Sequence, residues 1–147
     1  MLGIGIGIDR DVVRPKGGLS IALIREHRGE VARVESGETF HPGDRARFEI
    51  TLPVAGHVRV IGVEAGGAIY PCVPVDLAAP APWIEATTKP LLLDDTVAFD
   101  ASLGREQIYV VRCPRPFTVD DLHTRGADLD LPAGCESARF SLEKAAP

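Results

Sequence analysis

FHPGDRARFEITLPVAGHVRVIGVEAGGAIYP, residues 40–71, is the stretch of sequence that decides the fold. In its first half, apolar and polar residues alternate from Arg45 to Leu52. Side chains on a β-strand point to opposite faces in turn, so this pattern predicts a strand with one buried face and one wet face. The predicted buried residues are Ala46, Phe48, Ile50 and Leu52.

The second half of the stretch predicts a strand of a different kind. After the turn at Pro53–Gly56, the segment His57–Glu64 carries Val58 and Val60 on one face and Ile61 and Val63 on the other. A strand that is apolar on both faces is typical of a central position or of one covered on both sides. The stretch therefore predicts a sheet with a partner layer.

Short strands of this kind continue on either side of the stretch. The 15 glycines and 12 prolines separate runs rich in Val, Ile, Phe and Tyr. This punctuation favours an all-β fold, a single antiparallel β-sandwich of immunoglobulin-like size. Thr118 and Asp121 have the spacing of a capping box, which predicts one short helix near 118–125. The segment between Leu91–Leu93 and Val97–Phe99 is interpreted as a turn at Asp94-Asp95.

The predicted domain comprises residues 18–147, and residues 1–17 form an N-terminal tail or linker. Residues 2–8 alternate between large apolar residues and glycine. Two interpretations stay open: an edge strand with a bare glycine face, or the end of a membrane-proximal hydrophobic segment.

Composition narrows the class of function. The chain has 147 residues, is 45% hydrophobic and 25% charged, and has a formal net charge of −5. Its basic residues are scattered, which argues against a nucleic-acid partner. No apolar run approaches the roughly 20 residues that a membrane-spanning helix needs, so a membrane association is expected only through an upstream tether.

Catalytic, cofactor and metal motifs are not found. The four histidines, at positions 27, 41, 57 and 123, do not form HxxxH or HExxH, and no serine has a G-x-S-x-G context. We therefore expect no catalytic residue, no cofactor and no metal. Trp83, Asp94 and Asp95 are the candidates for a ligand or partner surface, although packing of Trp83 in the core and simple acidic turns are the preferred interpretations.

The three cysteines, Cys72, Cys113 and Cys135, have no CxxC spacing. The segment between Cys113 and Cys135 has few large apolar residues and needs an anchor, so we predict a disulfide between them and a free thiol at Cys72. Three free thiols are the alternative. A disulfide would fit an oxidising envelope compartment.

Three pieces of sequence resemble a bacterial family of β-rich domains of unknown function. They are Gly43–Ile50 (GDRARFEI), Gly56–Pro71 (GHVRVIGVEAGGAIYP) and Gly104–Val111 (GREQIYVV). Members of that family occur in envelope anti-sigma-like regulators and beside caspase-like peptidases and kinases. The matching motifs are structural, so no functional residue is carried over.

The resemblance implies a non-enzymatic sensing or protein-interaction module of a bacterial envelope regulatory system. Such a module would be periplasmic or membrane-tethered and would have a protein partner. The alternatives are a cytoplasmic accessory domain of a peptidase-linked signalling or defence system and a small carbohydrate-binding module.

Overall fold

Alternating apolar residues assemble into two facing sheets in a computed structural model, which describes residues 18–126 and 128–147. The strands are β1 (Ser20–His27), β2 (Glu30–Val34), β3 (Thr39–Phe40), β4 (Arg45–Thr51), β5 (Gly56–Val63), β6 (Ile69–Val73), β7 (Trp83–Ile84), β8 (Leu91–Ala98), β9 (Gly104–Cys113), β10 (His123–Arg125), β11 (Asp128–Asp130) and β12 (Glu136–Lys144). In these two ranges a single 3-10 turn, Val119–Asp121, is the only helical element. The predicted all-β class is confirmed.

The first sheet has the strand order β2-β1-β4-β8, and every pairing in it is antiparallel. Arg28 and Gly29 join β1 to β2 with positive φ angles of 51° and 82°, as a two-residue hairpin with a primed turn requires. On β4 the predicted alternation is confirmed, because Ala46, Phe48 and Ile50 are buried while Arg45 is exposed.

The second sheet has the order β3-β12-β9-β5-β6, and β7 also pairs with β5. One pairing departs from the antiparallel prediction, since the two-residue strand β3 runs parallel to β12. The predicted double burial of β5 is confirmed. Val58 and Val60 belong to the core between the sheets, and Ile61 and Val63 belong to a second cluster on the outer face.

Two segments cover that outer face. One is residues 114–135, which the Cys113–Cys135 disulfide closes and which we call the disulfide strap. The other is residues 74–82, which we call the proline loop. Phe117, Val119 and Leu122 of the strap and Ala81 of the loop are buried in the outer cluster.

The strap is less helical than the capping spacing predicted. Asp121 does accept a hydrogen bond from the Thr118 backbone N–H at 2.9 Å, but the helical conformation ends at Asp121. His123–Arg125 then pairs with Asp128–Asp130 as a hairpin. The reason is that Leu122 and Leu129 pack on the outer face of the sheet, which favours extended backbone over further helical turns.

The predicted turn at Asp94-Asp95 is wrong, because β8 runs through it as one strand. Its pairing with β4 is irregular, because Arg47 pairs with Thr96 and Glu49 pairs with Leu92. Two residues along β4 therefore correspond to four residues along β8, which makes a bulge. The Arg47 guanidinium donates to the Leu93 carbonyl at 2.9 and 3.2 Å and holds this bulge. Both interpretations of residues 1–17 lie outside the described residues.

Candidate functional site

The disulfide strap forms the wall of a surface cavity. Cys113 ends β9 and Cys135 precedes β12, and their Cα atoms lie 4.2 Å apart across the bond. The predicted disulfide is confirmed. Cys72 is free, as predicted, and is buried in β6.

This cavity has a volume of about 490 Å³ and combines an apolar floor with a charged rim. Phe117, Leu131 and the disulfide provide the apolar part. Its polar lining residues are Arg115, Asp120, Asp121, His123 and Asp130. Asp121 is held by the Thr118 backbone, and Asp130 lies 3.2 Å from exposed Arg125. The arrangement suits a ligand that brings both apolar surface and positive charge.

A second group of polar side chains is buried at one end of the core between the sheets. The Lys144 ammonium lies 2.7 Å from Glu106 and 2.5 Å from Asp100. The Tyr70 hydroxyl donates to Glu106 at 2.6 Å. Gly62 lies beneath the Tyr70 ring, and a Cβ there would overlap the ring. The missing side chain therefore lets Tyr70 reach across β5 to Glu106.

Electrostatics fix the charges of this group. The hydrogen bond from Lys144, with another from Ser102, lowers the pKa of Asp100 to about 2. Burial opposes the charge of Lys144, but its bonds to Asp100 and Glu106 outweigh burial and raise its pKa. Lys144 is thus a protonated ion-pair partner and is unsuited to act as a nucleophile. Its role is to compensate the charge of buried Glu106 at this end of the core.

The opposite end of the same core is closed in a similar way. Arg112 and Glu136 face each other across β9 and β12, with their side chains 3.1 Å apart. The Arg112 Nε also donates to the Ala55 carbonyl at 3.0 Å, above the bare surface of Gly56. These contacts have a structural role, since they join β9 to β12 and to the turn before β5.

The histidines occupy separate positions. Asp44, which is buried, accepts hydrogen bonds from the ring of His27 and from the backbone N–H of His41. Burial raises the pKa of Asp44, but these hydrogen bonds outweigh it and the net effect is to lower the pKa. The His57 ring lies 2.9 Å from the Ala81 carbonyl, and His123 lines the strap cavity. Over residues 18–126 and 128–147, no group of three or more His, Cys, Asp or Glu side chains could hold a metal ion.

Trp83, Asp94 and Asp95, the surface candidates from the sequence, are not brought together. Trp83 is 52% exposed, so the preferred core position is wrong. It pairs with His57 on the outer side of the second sheet, and its Nε1 donates to Glu85 at 2.7 Å. Asp94 and Asp95 lie on β8 of the first sheet, where Asp94 is fully exposed 3.7 Å from Arg47.

Arg59 is a functional candidate that no sequence motif indicated. It lies between Val58 and Val60 on β5. Its side chain is nevertheless completely buried beneath the proline loop. Burial lowers the pKa of its guanidinium. A signal was present, since a basic residue within a strand that is apolar on both faces has no wet face to occupy.

Comparisons with models of protein families, with curated proteins and with solved structures find no significant match to this chain. The resemblance to the β-rich bacterial family stays a prediction. Over the described part of the chain, no helix is long and apolar enough to cross a membrane.

Proposed function

We propose that the protein is a non-enzymatic protein-interaction or sensing module of a bacterial envelope regulatory system. Its binding surface is the cavity beside the disulfide strap. That cavity is the observation that carries the proposal, because it joins a hydrophobic floor to a rim on which three carboxylates outnumber the one arginine, Arg115. The matching partner is a protein segment with a Lys or Arg beside an apolar side chain.

The strap is suited to present such a surface. Its backbone is fixed at both ends by the disulfide, and its buried residues Phe117, Val119 and Leu122 attach it to the outer face of the second sheet. A surface that is rigid before binding loses little conformational entropy when a partner docks. This supports binding as the task of the strap.

The disulfide also supports the location. Disulfides persist in oxidising compartments and are rare in the cytosol. This one joins the last residue of β9 to the residue before β12. A periplasmic or tethered extracytoplasmic position is the location we propose. Export to the periplasm should give protein with one free thiol per chain, whereas three free thiols would contradict that location.

A peptide library displayed on phage and selected against the disulfide-bonded protein tests the binding surface. We expect enrichment of peptides that pair a basic residue with an apolar one. Asp120→Asn together with Asp130→Asn should weaken their binding about tenfold, because two rim charges are lost. The matched control is Asp94→Asn, on the other sheet, which should leave binding unchanged. Binding that is insensitive to the rim variant would contradict the assigned surface.

A further inference from the structure

The proline loop begins and ends on either side of Arg59. The chain leaves the second sheet at Val73, which pairs with Val60, and returns to it at Trp83, which pairs with His57. The Val58 N–H donates to the Pro82 carbonyl at 2.9 Å and fixes the returning end. The loop therefore lies over the part of β5 that contains Arg59.

Arg59 itself makes only part of the hydrogen bonds that its guanidinium can make. Its Nη2 donates to the carbonyls of Pro74 and Asp76 at 3.2 and 2.6 Å. Its Nε and Nη1 are buried and have no hydrogen-bond partner among the described residues. Two donor nitrogens are thus left unsatisfied in a position without solvent, which is costly for a charged group.

No carboxylate forms an ion pair with the Arg59 guanidinium in the described part of the chain, although the charge of Asp76 partly offsets the effect of burial on the Arg59 pKa. None of the ion pairs found there includes Arg59. The nearest acidic residue along the loop, Asp76, turns its carboxylate to the Ala78 N–H at 3.0 Å. By contrast, Lys144 and Arg112 both have a carboxylate partner.

The cover over Arg59 is weakly attached. Within the described residues, the hydrogen bonds that tie residues 74–80 to the rest of the domain are the two from Arg59. The other hydrogen bonds of this segment, from Ala78 and Ala79 to Asp76, stay inside the loop. Val75 and Leu77 are more than half exposed, so they add little packing to hold it down. Such a segment can open locally without unfolding the sheets.

We propose that Arg59 is the receptor of an oxyanion-binding site, for a carboxylate or phosphate group, which the proline loop covers when the site is empty. The planar guanidinium matches the geometry of both anions. A bound oxyanion would accept from Nε and Nη2, which share one edge of the guanidinium, and neutralise the charge; the carbonyls of Pro74 and Asp76 would be released from Nη2 as the loop moves aside. This site lies apart from the strap cavity and does not depend on the function proposed for it.

Titration followed by NMR tests the site directly. Acetate, phosphate and chloride are added to the folded protein at matched ionic strength, and the Arg59 Nε–H and the amides of residues 75–79 are observed. We expect saturable shifts with an oxyanion and none with chloride; a response to acetate alone or phosphate alone identifies which oxyanion the site takes. Trp83, the sole tryptophan, lies at the end of the loop and should report the same event by fluorescence.

Variants separate the site from general effects of salt. Arg59→Met should abolish the saturable response, and Arg105→Met, which removes an exposed arginine on β9, should leave it unchanged. Cys72 should stay unreactive to maleimide throughout, since the core between the sheets remains closed. The proposal is overturned if chloride acts like the oxyanions, if neither oxyanion acts, or if the response survives in Arg59→Met. The titration of the unaltered protein decides the matter even if Arg59→Met does not fold.

Discussion

At the scale of single residues, Gly62 shows how an absent side chain can organise several others. The Tyr70 ring occupies the space where a Cβ would be, and its hydroxyl reaches Glu106, which in turn holds Lys144. We predict that Gly62→Ala lowers the free energy of unfolding by about 1–3 kcal/mol, because the ring must move in a packed core. Urea unfolding measures the change.

Gly66→Ala is the matched control for that substitution. A Cβ at Gly66 would meet nothing within 4 Å, and the residue lies in the turn that follows β5. Its effect should stay within about 0.5 kcal/mol. If the two alanine variants lost equal stability, the position assigned to the Tyr70 ring would be wrong.

At the scale of elements, the parts predicted from the sequence are those where one physical effect dominates. Burial of one face alone determines β4, and burial of both faces determines β5, so their patterns are visible along the chain. The bulge in β8 was missed because it depends on the Arg47 guanidinium, which reaches Leu93 from 46 residues away. Local residues at Asp94-Asp95 resemble a turn, and the long-range contact keeps them in a strand.

The candidate site was less predictable for the same reason. Cys113 and Cys135 could be paired because the segment between them lacked a core of its own. The strap cavity and the position of Arg59 arise from how that segment and the proline loop lie on the outer face of the second sheet. Neither arrangement follows from residues that are close in sequence. The exposed position of Trp83, at the end of the proline loop, could not be predicted for the same reason.

The strap gives a prediction at this scale. Replacing Cys113 and Cys135 by Ser should cost about 3 kcal/mol of stability, because a loop with 22 residues of separation regains freedom in the unfolded chain. Hydrogen exchange should rise in Phe117–Leu131 and stay slow in β4 and β5, which do not depend on the strap. Exchange that rises equally everywhere would show that the bond supports the whole sandwich.

At the scale of the whole molecule, an ion pair lies at each end of the apolar core between the two sheets. Glu106 and Arg112 lie on the same face of β9, and each pairs with a charged residue of β12, Lys144 or Glu136. An ion pair that is buried is costly to break, since the remaining partner keeps its charge without compensation. At the Lys144 end, the stability of the fold should therefore depend on pH through Asp100.

Asp100 provides the last prediction, because it bonds to Lys144 from the solvent side with 64% of its side chain exposed. Its pKa is lowered from 3.8 to about 2, so the folded state prefers the ionised form. The ionised Asp100 carboxylate therefore stabilises the folded state fully at pH values above its pKa in the unfolded chain. This stabilisation is lost as the pH falls through the lower pKa of the folded state. The free energy of unfolding should accordingly decrease between about pH 4 and pH 2, and the decrease should be smaller in Asp100→Asn.

Asp94→Asn is the matched control, because it removes a fully exposed carboxylate from β8 and should keep the original slope. Acid titrations monitored by circular dichroism compare the three proteins. Identical slopes in Asp100→Asn and the unaltered protein would show that the Lys144–Asp100 bond does not form in solution.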